Sequence, residues 1–235
     1  MKKISIIIPC FNEEKTILKI IESVYKQKLN NKKFEYEIIV INDGSNDSSY
    51  ERLLTFRSKI DLLINHNYNM GKGAAVKSGL KKCSGDIILI QDSDLEYNPE
   101  NYSQLLQPFE NENIHVVYGS RFLNKKKFIL EKGINYNFRK SVNLILTKFY
   151  NIIYNQNLTD VHTGYKLFRS HVLKDIFLKE NDFALCAEVS AKVAKKKINI
   201  YEVEIDFSPR SYHDGKQIKN IDGVKAIIAY LKYWF

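Results

Sequence analysis

Long apolar runs and the common nucleotide-binding glycine patterns are both missing from the 235-residue sequence. No stretch of about 18 consecutive apolar residues occurs, so no membrane-spanning helix is expected. Neither Gly-x-Gly-x-x-Gly nor Gly-x-x-x-x-Gly-Lys-Ser/Thr is present, which argues against a dehydrogenase and against a P-loop enzyme. Internal repeats, low-complexity segments and a recognisable linker are also missing. These absences favour one large globular domain.

Cysteine is scarce, with three residues that share no metal-ligand spacing: Cys10, Cys83 and Cys186. We expect them to be buried small residues of a protein in a reducing compartment. The apolar residues 4–8 end at Pro9 and are followed by acidic residues, so they predict a first β-strand rather than a signal peptide. The sequence therefore predicts a cytoplasmic protein that is soluble or peripheral to a membrane.

Positive charge is in excess, with a net charge of +9, and it is unevenly distributed. Between residues 121 and 150 a single acid, Glu131, accompanies eight basic residues: Arg121, Lys125, Lys126, Lys127, Lys132, Arg139, Lys140 and Lys148. Such a block contacts phosphate, nucleic acid or an anionic membrane face, or it is a solvated surface, and charge alone leaves these alternatives open. No aromatic-basic RNA-binding signature is visible, so no nucleic-acid partner is expected.

Strand and helix signals alternate along the first half of the chain. Short apolar segments predict strands at residues 3–8, 37–41, 61–64 and 86–90. Helical spacing of Ile17, Ile20, Ile21 and Val24 predicts a helix after the first strand, and further helices are predicted from about residue 47 and over 74–82. Strands separated by helix-length segments indicate βαβ units, and so an α/β fold with a mostly parallel sheet flanked by helices.

The second half is organised differently. Residues 121–133 are predicted to form a loop, and helices are predicted at 185–196 and 223–233 with a strand at 200–207. An apolar helical stripe is interpreted as core rather than as a cofactor site, and it consists of Val142, Ile145, Leu146, Phe149 and Ile153.

Polar side chains follow three of the predicted strands. Asp92 and Asp94 come directly after the apolar residues 87–90, Asp43 follows the second strand, and Glu13 follows the first. Each alone is an ordinary polar turn. Because the carboxyl ends of parallel strands meet at one edge of a sheet, together they predict a cleft for a nucleotide and a metal-bound diphosphate. Gly71 and Gly73 before a helix either admit a phosphate or form a tight turn.

The ordered motifs resemble those of the family 2 inverting glycosyltransferases. Ile-Ile-Ile-Pro-Cys-Phe-Asn-Glu-Glu, Ile-Asn-Asp-Gly-Ser, Asn-Met-Gly-Lys-Gly and Gln-Asp-Ser-Asp occur at residues 6–14, 41–45, 69–73 and 91–94. The later motifs resemble the polyprenyl-phosphate hexose synthase branch, typified by dolichyl-phosphate mannose and glucose synthases, and they lie at 119–121, 160–169 and 209–216. The resemblance implies a GT-A fold over residues 1–235, with a nucleotide-sugar-binding half (1–119) and an acceptor-binding half (120–235) that ends in an amphipathic helix.

The resemblance also implies roles for individual residues. The nucleoside site would be lined by Pro9, Phe11, Glu13, Ile41 and Asp43. The donor diphosphate and a Mg²⁺ or Mn²⁺ ion would be surrounded by Lys72, Asp92, Ser93, Asp94 and Glu96, with Asp92 and Asp94 as metal ligands. Donor or acceptor phosphates would be gripped by Arg121, Arg210 and Lys216. The acceptor would be faced by Arg139, Asp160, Lys166 and Glu188.

The implied reaction moves a hexose from a nucleotide-diphospho-sugar, of the UDP-glucose or GDP-mannose type, to polyprenyl phosphate. A phosphate acceptor is already an anionic nucleophile, so positioning and charge neutralisation suffice. A soluble sugar or glycan acceptor is the alternative, and it would need a carboxylate base. Glu188 and Asp160 are the candidates, unless Glu188 is a helix-surface acid and Asp160 a helix cap.

The expected location is the cytoplasmic face of a membrane. The basic block and the C-terminal helix with Trp234 fit a peripheral protein held by an anionic membrane surface, and a membrane-spanning tail like that of many relatives is not expected. A membrane-protein partner or a homo-oligomer is compatible with the sequence. A non-catalytic basic scaffold is the third hypothesis. It assigns no function to Asp43, Asp92 and Asp94.

Overall fold

The computed structural model describes residues 1–30, 33–123, 134–210 and 220–234, with the backbone alone given for 134–139 and 220. Within these ranges the strands are β1 (Lys2–Cys10), β2 (Phe34–Asn42), β3 (Leu62–Asn65), β4 (Ile87–Ile90), β5 (Val116–Ser120), β6 (Lys166–Arg169) and β7 (Ile200–Glu204). The helices are α1 (Ile17–Asn30), α2 (Ser49–Thr55), α3 (Lys72–Leu80), α4 (Tyr102–Leu106), α5 (Ile134–Tyr154), α6 (Ser170–Lys174), α7 (Ala184–Lys195) and α8 (Asn220–Trp234).

The seven strands form one sheet in the order β3-β2-β1-β4-β6-β5-β7. Strand β6 runs antiparallel to β4 and β5, whereas the other neighbouring pairs are parallel. The predicted α/β fold with a mostly parallel sheet is therefore confirmed. Strands from both predicted halves share this sheet, and the division at residue 119 stays a prediction.

Both faces of the sheet are covered by helices, as its near-continuous apolar strands require. Alternation along β1 sends Ile6 toward the face that α1 covers and Ile7 toward the face that α3 and α7 cover. The predicted stripe of α1 is buried as expected. The stripe of α5 is a partial correction, because Leu146 is buried but Ile145 is 67% exposed.

The carboxyl ends of β1, β2 and β4 lie at one edge of the sheet, as predicted. The amide of Asp43 donates to the Cys10 carbonyl at 2.8 Å, and the amide of Gln91 donates to the Ile7 carbonyl at 3.0 Å. Because β6 is antiparallel to β4, with Lys166 opposite Ile90, the segment that precedes β6 reaches the same edge. In the described part of the chain, no helix combines the length and apolar character that a membrane crossing requires.

Candidate active site

A cavity of about 470 Å³ lies where β1, β2 and β4 end. Eleven residues with a predicted role in nucleoside, metal or phosphate binding line it: Pro9, Phe11, Glu13, Asp43, Lys72, Asp92, Ser93, Asp94, Glu96, Arg121 and Arg210. The same cavity is lined by apolar side chains of α5, α7 and α8, among them Val142, Leu146, Ala187 and Ala226. The strand ends therefore bring the predicted donor residues together, beside an apolar part that three helices supply.

Three carboxylates follow β4 and crowd one side of the cavity: Asp92, Asp94 and Glu96. Burial, reinforced by the charges of Asp92 and Glu96, raises the pKa of Asp94 to about 7, although Arg210 opposes this rise. The Ser93 hydroxyl donates to the Pro9 carbonyl at 3.0 Å and so ties this turn to the end of β1. The fold thus concentrates negative charge that needs positive partners.

Arg210 supplies one of these partners. Its two terminal nitrogens donate to the two carboxylate oxygens of Glu13 at 2.9 and 2.5 Å, and one of them lies 3.5 Å from Asp94 Oδ2. The backbone amide of Arg210 donates to Glu96 at 2.9 Å. The bidentate contact with Glu13 fixes the guanidinium over the turn that carries Asp92, Asp94 and Glu96 (the acidic turn). Glu13, predicted at the nucleoside site, lines the cavity and holds Arg210.

Lys72 supplies the other partner, since its Nζ lies 2.5 Å from Asp92 Oδ1. Gly71 and Gly73, which flank Lys72, pack closely against the backbone of another segment. A Cβ at Gly71, where φ is +96°, would lie 2.4 Å from the Asn181 carbonyl oxygen, and one at Gly73 would lie 2.7 Å from the Glu180 carbonyl oxygen. These glycines therefore make room for the backbone of residues 180–181, and a phosphate approach there stays a prediction.

Asp43 is engaged on both of its carboxylate oxygens. Oδ1 lies 2.6 Å from Nδ1 of His66 and accepts from the Met70 amide at 3.0 Å, while Oδ2 accepts from the Gly71 amide at 2.8 Å. The other ring nitrogen of His66, Nε2, lies 2.9 Å from Ser78 Oγ. Asp43 therefore shapes the segment that leads into α3, and its nucleoside contact stays a prediction. The role of His66 was not predicted from the sequence.

Arg121 is oriented by Asp160. Its Nε and Nη2 donate to the two carboxylate oxygens of Asp160 at 2.7 and 2.9 Å, and its backbone amide donates to Oδ2 at 3.1 Å. The guanidinium also lies about 5 Å from the rings of Phe122 and Phe207. Asp160 is fully buried and does not line the cavity. The expectation that it faces the acceptor as a base is therefore corrected, because both of its oxygens hold Arg121.

Three further predicted residues do not line the cavity: Ile41, Lys166 and Glu188. Ile41 packs in the core between the sheet and its helices. Lys166 is buried under the Tyr118 ring, donates to the Thr163 carbonyl, and has a lowered pKa because burial disfavours its charge. Both side chains therefore lie away from the cavity, and contacts of these residues with nucleoside and acceptor stay predictions.

Glu188 is the third of these residues. Its fully buried carboxylate accepts from the amides of Lys179 and Glu180, each at 2.8 Å, and from Lys192 Nζ at 2.5 Å. It is neither a surface acid nor a base facing the cavity. Its partners make it an anchor for the segment that precedes α7.

Two predicted residues have no described side-chain contacts. Arg139 lies in α5, where the backbone alone is given, and Lys216 lies outside the described residues. Their predicted roles with phosphates and acceptor stay predictions. Of the basic block, Arg121 is paired with Asp160, Lys148 is exposed, and Lys125, Lys126, Lys127 and Lys132 lie outside the described residues.

The apolar wall of the cavity was missed from the sequence. Val142 and Leu146 were interpreted as core, since a helical stripe has the same spacing whether it faces a core or a cavity. His162 also lines the cavity, where burial first and then the charge of Lys166 lower its pKa to about 3. Its ring is therefore neutral at pH 7, as expected of a packed histidine.

Residues 5–177 match the family model described as Glycosyl transferase family 2, which covers well over half of the chain. The chain belongs to this family. The predicted family and the predicted enzyme class, a glycosyltransferase, are both confirmed. This conclusion excludes the non-catalytic scaffold as the main interpretation.

Several curated relatives act on lipid phosphates, as their names state. A UDP-N-acetylglucosamine–dolichyl-phosphate N-acetylglucosaminyltransferase of Methanococcus voltae is 30% identical, over 87% of this chain and 85% of the relative. A dolichyl-phosphate β-glucosyltransferase of Trichomonas vaginalis is 26% identical over 87% of this chain, and a dolichol-phosphate mannosyltransferase of Pyrococcus furiosus is 27% identical over 98%. The chain spans 65% and 62% of the length of these last two. The resemblance to the polyprenyl-phosphate branch is thereby confirmed.

Solved structures show the same fold. Glucosyl-3-phosphoglycerate synthase from Mycobacterium tuberculosis, in complex with Mn²⁺, UDP and glucosyl-3-phosphoglycerate, has a TM-score of 0.70 over 99% of this chain and 80% of its own. Another complex of that protein contains Mg²⁺ and UDP. At 17–18% identity these structures support the predicted GT-A fold and nothing finer.

The acidic turn fits a divalent ion whose coordination is completed by a bound substrate. Among the described residues, no three His, Cys, Asp or Glu side chains are placed to hold a metal by themselves. Mg²⁺ is commonly held by one or two carboxylates together with substrate phosphates. Asp92 and Asp94 offer hard oxygen donors in one cavity, where burial first and then the charges of Asp92 and Glu96 raise the pKa of Asp94. The donor set therefore suits Mg²⁺ or Mn²⁺ shared with a diphosphate, and this site stays a prediction.

Proposed function

We propose that this glycosyltransferase moves a hexose from a nucleotide-diphospho-sugar, of the UDP-glucose or GDP-mannose type, to polyprenyl phosphate. The observation that carries the proposal is the cavity itself, which joins a part lined by carboxylates and cations to an apolar part between α5, α7 and α8. A nucleotide sugar suits the charged part, and a phosphate on an isoprenoid chain suits both parts. The names of these curated relatives support a lipid-phosphate acceptor, and one of them names a nucleotide sugar, UDP-N-acetylglucosamine, as the donor.

The charged part would bind the donor. Asp92 and Asp94 would hold Mg²⁺ or Mn²⁺, which when bound offsets the negative charge that develops on the leaving nucleoside diphosphate. Arg210 would fork onto phosphate oxygens, and Lys72 would add a movable point charge. Pro9 and Phe11 line the cavity at the end of β1 and would contact the nucleoside.

The contacts of two buried acids remove the two bases that were predicted for a hydroxyl acceptor. A hydroxyl would need a carboxylate base within hydrogen-bond reach, whereas a phosphate is already anionic. Both candidates for that base, Asp160 and Glu188, are buried and bonded to other protein groups. The chain's own groups would then act by positioning and by charge, with Arg121, Arg139 and Lys216 as candidate phosphate contacts.

Membrane contact would bring the lipid acceptor to the cavity. The outer face of α8 carries five apolar side chains that are 45–57% exposed: Ile221, Val224, Ile228, Leu231 and Trp234. Ile145 and Ile152 of the neighbouring helix α5 are exposed as well. We place this face against the anionic cytoplasmic surface of a membrane, where exposed apolar side chains and nearby lysines are both stabilised.

The proposal is tested with a panel of nucleotide sugars, assayed with Mg²⁺ or Mn²⁺ and with or without a short polyprenyl phosphate. The expected result is nucleoside diphosphate release together with a lipid-linked sugar, both dependent on the polyprenyl phosphate. Efficient transfer to a soluble glycan without the lipid would refute the proposed acceptor.

A matched pair of variants tests the assignment of the apolar part. Ala226→Leu adds bulk to the wall of the cavity, so the KM for polyprenyl phosphate should rise while nucleoside diphosphate binding is unchanged. Val224→Leu adds bulk to the exposed face of the same helix and should leave that KM unchanged. Equal KM values in both variants would place the acceptor elsewhere.

A further inference from the structure

The ion pair between Lys72 and Asp92 occupies the position where the proposed metal would bind. Nζ of Lys72 is 2.5 Å from Oδ1 of Asp92, and both side chains line the cavity. A divalent ion on that oxygen would lie close to the ammonium group, and the two cations would repel each other. Binding of the ion at Oδ1 therefore favours movement of Lys72 away from Asp92.

The position of Lys72 allows its ion pair with Asp92 to separate. The side chain of Lys72 is 18% exposed at the cavity wall and is a flexible four-carbon stem, so it can leave Asp92 without unfolding its helix. On the Asp94 side, both terminal nitrogens of Arg210 donate to Glu13, and one of them lies 3.5 Å from Asp94 Oδ2.

The starting position of Lys72 is fixed from the other side by residues 179–182. The amide of Ala74 donates to the Asn181 carbonyl at 3.0 Å, and Gly71 and Gly73 contact the backbone of 180–181 without room for a side chain. Glu188 anchors the same segment through the amides of residues 179 and 180. The first turn of α3, which carries Lys72, is thereby clamped against a segment that a buried carboxylate holds.

We propose that Lys72 is a built-in counter-cation, which neutralises Asp92 in the unliganded protein, is displaced when a divalent ion binds there, and then moves to the donor diphosphate. Glu188 acts as a positioning residue, because the segment that it anchors sets where Lys72 starts. This inference rests on the metal-assisted function proposed above. It adds that one lysine opposes metal binding before the nucleotide arrives and supports nucleotide binding afterwards.

Direct Mn²⁺ binding tests the exchange. Mn²⁺ alone is titrated into the full chain, at fixed pH and salt, and the free ion is measured by electron paramagnetic resonance. Lys72→Met should tighten Mn²⁺ binding by about 5- to 150-fold, the usual range for coupling between two sites. Lys81→Met removes the same charge from an exposed position just after α3 and should change nothing. With UDP or GDP present, Lys72→Met should instead weaken nucleotide binding.

The outcomes separate this inference from the proposed function. Unchanged or weaker Mn²⁺ binding by Lys72→Met without nucleotide would overturn the exchange, even if the wild-type protein binds Mn²⁺ in the presence of nucleotide. Absence of Mn²⁺ and Mg²⁺ binding in every variant, with nucleotide present, would refute the metal-assisted function as well. Tighter binding without nucleotide and weaker nucleotide binding together support the exchange.

Glu188→Gln tests the positioning role. It should tighten Mn²⁺ binding in the wild-type background but have no effect in the Lys72→Met background, since no lysine then remains to be positioned. Equal effects in both backgrounds would contradict that role. Lys77→Met perturbs the same segment from nearer the surface. Lys77 donates to the Lys179 carbonyl and to Asn181 Oδ1 of that segment. Thermal unfolding of each variant shows that it is folded.

Discussion

Gly164 lies where the segment before β6 crosses the acidic turn, and its missing side chain is a structural requirement. A Cβ at this position would lie 2.8 Å from Asp92 Oδ2 and 2.6 Å from the ring of Tyr97. The ring is fixed by the neighbouring aromatic rings of Tyr165 at 5.0 Å and Phe207 at 5.1 Å, and its hydroxyl accepts from the Gly164 amide at 2.8 Å. Gly164→Ala must therefore displace either this ring or Asp92.

The cost of this displacement follows from overpacking. Extra bulk in a packed interior destabilises by about 1–3 kcal/mol, and each kcal/mol lowers the melting temperature by about 2–4 °C for a chain of this size. A shift of about 1 Å in a group at the reacting centre costs on the order of 100-fold in rate. We therefore expect Gly164→Ala to lose far more turnover than its modest loss of stability explains.

Gly223→Ala is the matched control. Gly223 also lines the cavity, but among the described residues an added Cβ there meets only Leu146 Cδ1, at 3.8 Å. Since it lies in α8, alanine should stabilise the helix by up to about 1 kcal/mol. Melting temperature and donor turnover are measured for both variants. If Gly164→Ala were as stable and as active as the wild-type protein, the proposed close packing of Gly164 on Asp92 would be refuted.

Three other predictions concern the surroundings of the cavity. The pKa of His162 is about 3 in the folded state, below the unfolded value of about 6.5, so stability falls as the pH drops below 6.5. His162→Gln should reduce the loss of unfolding free energy between pH 7.5 and pH 5 by about 1–2 kcal/mol in urea titrations, and parallel pH profiles would contradict this. Asp160→Asn should cost about 3 kcal/mol of unfolding free energy, because Arg121 stays buried without its charge partner; an unchanged urea midpoint would contradict it. Asp94→Asn should abolish turnover, and an unchanged rate would remove the metal from the mechanism.

The convergence of the donor residues was predictable because it depends on topology. Asp43 and Asp92 each follow an apolar strand, and parallel strands place their carboxyl ends at a common edge whatever the connections between them. No knowledge of side-chain contacts is needed for that inference. The same reasoning places Glu13 at this edge, and Glu13 lines the cavity.

The partners of individual acids were not predictable. Asp160 and Glu188 were both interpreted as possible bases, since an aspartate or glutamate alone does not reveal what it contacts. Asp160 is paired with Arg121, which lies 39 positions away, and Glu188 binds two backbone amides of a segment without regular structure. Such contacts depend on how loops fold back, and the hydrophobic periodicity of a sequence does not describe them.

The partners of the acids around this site separate those that shape it from those free to take part in it. Asp43 and Glu188 accept from backbone amides, which cannot leave without the loop itself rearranging. Asp92 is instead compensated by the tip of Lys72, whereas Asp94 lies near the tip of Arg210 and also accepts from the Glu96 amide at 3.1 Å. A side-chain tip can exchange for a metal ion or a phosphate through rotamer changes alone, which are fast motions. Among these acids, Asp92 is therefore the one whose charge can gain a new partner without a rearrangement of the backbone.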